Sequence, residues 1–149
     1  MPKFAAAALV LFLPTLAAAQ DYCALVVKRG PEVFGTKLQA PPLRDSGGNC
    51  AANNASGSGR LTVGVLRIPG SEAVVASKRK DVREGETSAD EPTLGKGAAS
   101  IRHEKGKEIE FLVPLPDRLL MVVRRERDGL SEAQIGRTRA FAAAARDLR

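Results

Sequence analysis

The run Leu119-Leu120-Met121-Val122-Val123 constrains the fold more than any other segment. Successive strand residues point to opposite faces, so five apolar residues in a row require cover on both sides, which predicts a strand at the centre of a sheet. The neighbouring patterns supply partners. Between Glu108 and Val113, Ile109, Phe111 and Val113 alternate with Glu108 and Glu110, predicting one buried and one solvated face. Ala98 to His103 precedes it across the turn Glu104 to Lys107. Arg60 to Ile68 places Leu61, Val63 and Val65 on one face, and Ser56-Gly57-Ser58-Gly59 separates it from a strand around Asn49 to Asn54, so the two form a hairpin.

Two helices accompany these strands. Ser71 follows Pro69-Gly70 as an N-cap for a helix running to about Arg83. Ser131 and Gln134 have capping-box spacing, with Leu130 placed to staple onto Ile135. The helix that starts at Glu132 carries an apolar stripe of Phe141, Ala144, Ala145 and Leu148, with Arg137, Arg139 and Arg146 outside it. Pro31 suits a first helical position and Gly35 a stop, predicting a short helical turn. Residues 40–49 contain Pro41-Pro42 and Gly47-Gly48 and read as loop, as does the polar stretch 84–97, broken by Gly85, Pro92, Gly95 and Gly97 and expected to be the most mobile part of the chain. Arg60-Leu61 and Arg118-Leu119 each open a strand that leads through a glycine-containing turn to Ser-Glu-Ala, which suggests two strand-strand-helix units. The expectation is an α+β domain: a mostly antiparallel sheet of about five strands with two main helices packed on one face.

The N-terminus sets the compartment. Lys3, an apolar run from Phe4 to Leu16, and Ala17-Ala18-Ala19 before Gln20-Asp21 form a secretory signal peptide, residues 1–19, too short to span a bilayer. The product is expected in the periplasm or secreted medium, without a transmembrane anchor, as one domain over residues 20–149. Cys23 and Cys50, the only two cysteines of the chain, both fall in the exported part and are expected to pair. Such a bridge should contribute about 3 to 4 kcal/mol by restricting the unfolded chain.

Candidate chemistry is sparse. His103 is the sole histidine, at the end of a hairpin strand; with both cysteines bridged, neither a zinc ligand set nor a nucleophile-base pair can be assembled around it. Glu108 and Glu110 share one strand face, whereas a glycosidase needs carboxylates on opposing walls, so they read as a solvated face. Gly57-Ser58-Gly59 and Gly95-Lys96-Gly97 match no phosphate-loop or dinucleotide fingerprint, and Asn54-Ala55-Ser56 is formally a glycosylation triplet. No catalytic residue, metal ligand or cofactor is expected.

Charge is the remaining signal. Of 23 Lys and Arg only Lys3 leaves with the signal, so 22 face 17 acidic residues, a formal +5. The basic residues cluster as Lys78, Arg79, Lys80 and Arg83 on the second helix and as Arg124, Arg125 and Arg127 at the end of the central strand, forming a candidate surface for an anionic partner. Specific nucleic-acid reading is not expected, because aromatic platforms after residue 19 are confined to Tyr22, Phe34, Phe111 and Phe141, mostly core positions.

Cys23-Ala24-Leu25, the helix end Glu32 to Gly35, Gly48-Asn49-Cys50, Leu61-Thr62-Val63 and Leu94-Gly95-Lys96-Gly97-Ala98, followed by two strands and a terminal helix, resemble a family. It comprises small exported bacterial cell-envelope proteins of unknown function, typified by an actinobacterial lipoprotein family. The chain departs from that pattern in lacking a lipidated cysteine and in having Ala51-Ala52 where an aromatic often follows the second cysteine. The resemblance implies an α+β fold with a disulfide and carries no activity. The functional expectation is therefore a non-enzymatic envelope or secreted binding module whose partner is an envelope protein or an anionic envelope polymer; the alternative is an inhibitor of a hydrolase, presenting the loop 40–49.

Overall fold

A computed structural model describes residues 21–148; the signal peptide expected over residues 1–19 lies outside the described residues. The elements run α1 (Tyr22–Phe34), β1 (Leu43–Arg44), β2 (Cys50–Asn53), β3 (Gly59–Leu66), α2 (Ser71–Lys80), β4 (Thr87–Asp90), β5 (Ala99–His103), β6 (Glu108–Leu115), β7 (Arg118–Glu126) and α3 (Glu132–Arg146), with 3₁₀ turns at Pro92–Leu94 and Glu104–Gly106. All seven strands join one antiparallel sheet in the order β1-β2-β3-β7-β6-β5-β4. The α+β expectation holds, with seven strands for about five and three helices for two.

The sheet consists of two meanders, β1 to β3 and β4 to β7, whose last strands meet: β3 and β7 pair from Gly59↔Glu126 to Leu66↔Leu119. Each meander ends in a helix, so strand-strand-helix units are present as β2-β3-α2 and β6-β7-α3. The helices do not share a face. Ile109, Phe111, Val113, Leu120 and Val122 pack with α1 and α3 in the larger cluster. Their neighbours of opposite parity, Ala99, Ile101, Leu112 and Leu119, pack with Val75 of α2. The cause lies in the continuous apolar run of β7, which one helical layer cannot cover. β7 is the central strand as predicted, yet Met121 and Val123 stay half-buried, because α2 reaches β5 and β6 rather than the β1–β3 side.

Two local expectations fail instructively. Pro31 lies inside α1 instead of opening a short turn. The N–H lost there costs one helical bond, while Tyr22, Val26, Val33 and Phe34 bury along the helix, and the disulfide Cys23–Cys50 ties its first turn to β2 with Cα atoms 5.3 Å apart. Gly35 ends the helix at φ 72°, as expected of a left-handed stop. The stretch 84–97 is not an open loop: β4 pairs with β5, Leu94 is 1% exposed, and the Glu91 carboxylate, also buried, accepts from Arg139 Nε at 2.6 Å and Nη2 at 3.1 Å.

The capping box of α3 forms as predicted, with Ser131 accepting from Gln134 N and Gln134 accepting from Ser131 N. Its buried residues are Ile135, Thr138, Phe141, Ala142 and Ala145, so Ala144 lies off the stripe. Gly70, at φ 68°, caps α2 in place of Ser71, whose hydroxyl donates to Leu115 O. Among the described residues no helix is long and apolar enough to cross a membrane.

Candidate functional site

Because β3 and β6 run antiparallel to β7, the loop entering β3 and the turn entering β6 come together at the C-terminal end of β7. They are stitched to it by Arg127 N donating to Ser58 O at 3.0 Å and Glu126 N donating to Lys107 O at 2.8 Å. Between them opens a groove of about 360 Å³, lined by the hairpin loop through Arg60, by Glu104 and Lys107, and by Arg125 to Arg127.

Both walls are fixed by their own sequence. In the hairpin loop Asn54 Oδ1 accepts from Gly59 N at 3.0 Å and from Ser56 Oγ at 3.2 Å, while Nδ2 donates to Ser58 Oγ at 3.1 Å. Asn54 is 9% exposed, so its amide is engaged in the turn and is no acceptor for a glycan in the folded chain. On the other wall Glu104 (φ 49°) and Lys105 (φ 55°) are the only described non-glycine residues in the left-handed region, a conformation costing about 1 to 2 kcal/mol per residue. Leu130 N, donating to Gly106 O at 2.9 Å, holds that turn, and Glu104 pairs with Arg125 Nη2 at 2.5 Å across the groove.

The floor is an ion pair in the core. Arg124 has no exposed surface: its Nε and Nη2 donate to Glu126 Oε1 at 3.1 and 2.7 Å, Nη1 donates to Val33 O at 2.6 Å, and the guanidinium lies 5.2 Å from the Phe34 ring centroid. Burial pulls the Arg124 pKa down and the Glu126 carboxylate opposes that; an arginine so paired stays charged. One side chain thus joins β7 to the end of α1. Around this floor Arg60, Lys107 and Arg127 are exposed and enter no ion pair among the described residues. With Arg124 and Arg125 each neutralised by a glutamate, the groove carries three uncompensated positive charges.

The predicted basic surface is therefore redistributed. Arg124 faces the core and is corrected out of it, because residues 120, 122, 124 and 126 share the face under α1 and α3. Arg125 and Arg127 do line the groove. Lys78 of α2 donates to Glu110 at 3.0 Å and Arg79 to Asp90 at 2.5 Å, while Lys80 and Arg83 are exposed, Arg83 lying beyond the helix, which ends at Lys80 rather than near residue 83; none of the four lines the groove. Arg60 and Lys107 were not legible as part of a cluster. Their only signal is that each follows a glycine at a strand start, and register alone brings them beside Arg125.

His103 ends β5 beside a turn, as expected, but it is not isolated. Nδ1 lies 2.7 Å from Glu86 Oε1 and Nε2 lies 3.4 Å from Glu110 Oε2. Burial disfavours its charge, yet the two carboxylate hydrogen bonds outweigh that and raise its pKa above the ordinary value. Glu110 was expected on a solvated face; its side chain is only 12% exposed, because α2 lies over it and supplies Lys78. The loop 40–49 contains the edge strand β1, with Leu43 76% exposed. Tyr22, Phe34, Phe111 and Phe141 are all buried, and among the described residues no cluster of metal-ligating side chains forms.

No family model matches this chain, and neither does any curated protein or solved structure.

Proposed function

We propose that this protein is an exported binding module of the cell envelope that holds an anionic ligand, such as an anionic envelope polymer, in the groove at the end of the central strand. One observation carries this reading: three exposed cations, Arg60, Lys107 and Arg127, converge on a groove of about 360 Å³ and enter no ion pair among the described residues, the groove's Glu104 and Glu126 being paired with Arg125 and Arg124. A concave site lined by one sign of charge focuses its field and concentrates counter-ions of opposite sign. Export is supported by the leader-like first 19 residues and by a Cys23–Cys50 disulfide, which persists in oxidising compartments.

The test uses inorganic polyphosphate as a probe polyanion. Binding followed by calorimetry should weaken at least tenfold in the double variant K107Q/R127Q, and it should fall between low and high salt as the Debye length shortens from about 30 Å to about 3 Å. The variant K80Q/R83Q, altered at the end of α2 and just beyond it, should bind as the native chain does. Loss of binding in K80Q/R83Q, with none in the groove variant, would move the site elsewhere.

A further inference from the structure

We propose that the groove selects anions that carry a hydroxyl group beside their charge, the chemistry of phosphorylated polyols and sugars, with Glu126 Oε2 accepting the hydroxyl; this rests on the groove being an anion site. The Glu126 carboxylate is the unusual group. Its residue is 6% exposed, and Oε1 receives both the Nε–H and an Nη2–H of Arg124. Among the described residues Oε2 accepts no hydrogen bond, yet it is not sealed off: it keeps contact with solvent, and Glu126 lines the groove. The carboxylate lies directly against the Cα of Gly59, where any Cβ would overlap both oxygens.

With Oε1 engaged by Arg124, Oε2 is the carboxylate oxygen left to accept a donor brought into the groove. Arg124 already neutralises Glu126, so a second cation is not called for. A neutral donor satisfies Oε2 without disturbing the charge balance. The rim, by contrast, calls for negative charge through Arg60, Lys107 and Arg127. A bare phosphate meets the rim alone and brings its own oxygens toward a carboxylate. A phosphorylated polyol meets both, its phosphate on the rim and its adjacent hydroxyl donating to Oε2.

The experiment varies the ligand and leaves the protein intact, so the folding of a variant does not enter. Glycerol phosphate and propyl phosphate have the same charge and similar size and differ in hydroxyls. Affinities from chemical-shift titration of the groove amides, or from calorimetry, should favour glycerol phosphate by about tenfold or more, the value of a hydrogen bond to a charged acceptor. Equal, salt-sensitive binding of both would overturn the hydroxyl selection and leave the anion site standing. Absence of binding by either, and by inorganic polyphosphate, would overturn the anion site itself. A glycerol phosphate polymer provides the arm that separates sources: tighter binding than the monomer identifies a polymer chain, and equal binding per phosphate identifies a free polyol phosphate, either supporting the selection.

Discussion

Replacing Arg124 by Met should be among the most damaging single changes available in this protein. The guanidinium is wholly buried and makes hydrogen bonds to Glu126, Val33 O and, at 3.4 Å, to Gln134 O and Thr138 Oγ1, linking β7, α1 and α3. Removing it leaves the Glu126 carboxylate 6% exposed with no counter-charge, and breaking one side of a buried pair costs about 3 to 5 kcal/mol. The Val33 carbonyl keeps one donor, Arg137 Nε at 3.2 Å, so its loss adds little. Against a typical total of about 5 to 15 kcal/mol the change removes roughly a fifth or more of the stability. The melting temperature should fall by roughly 10 to 20 °C for a domain of this size. Urea unfolding of R124M and of R124M/E126Q measures the effect. The double variant should recover at least half the loss, since a neutral amide carries no buried charge, and that comparison stands even where the single variant fails to fold. A loss below about 1 kcal/mol for R124M, or a double variant no better than the single, would refute the reasoning.

Two further outcomes follow from the same geometry. His103 has its pKa raised in the folded state by Glu86 and Glu110, with Lys78 on Glu110 and the Arg83 amide on Glu86 completing its surroundings. Its contribution should therefore be fully present below the unfolded value of about 6.5 and be lost as pH rises through the higher folded value. Urea midpoints across that range should converge for the native chain and H103Q at alkaline pH and diverge at acid pH; a gap that widens upward would show the opposite linkage. Gly59→Ala should destabilise by about 1 to 3 kcal/mol, because its Cβ would collide with a carboxylate that Arg124 holds in place. Thermal melting measures it, and an unchanged midpoint would mean that the floor of the groove is loose.

Features that depend on a few adjacent residues were legible in the sequence. The capping box at Ser131 and Gln134, the central run Leu119 to Val123 and the left-handed stop at Gly35 all formed where local chemistry put them. Features that depend on what lies opposite were not. Pro31 signals a helix start until four buried side chains and a disulfide outweigh it. Polar Thr87–Asp90 reads as loop until β5 offers it a ladder. Arg124 and Glu110 read as surface charges because nothing in their own strands reveals a cover. The groove has the same blind spot: Arg60, Lys107 and Arg127 are widely separated in sequence and meet only through the β3, β6 and β7 registers.

The lengths of the strands, read across the sheet, are two, four, eight, nine, eight, five and four residues. Such a taper leaves little exposed ladder at either border, and the borders are marked by Arg44 on one side and Asp90 on the other. Short, charged borders offer a poor template for an incoming foreign strand. A long hydrophobic middle is thus framed by margins that give neighbouring polypeptides almost nowhere to begin fibril-like stacking.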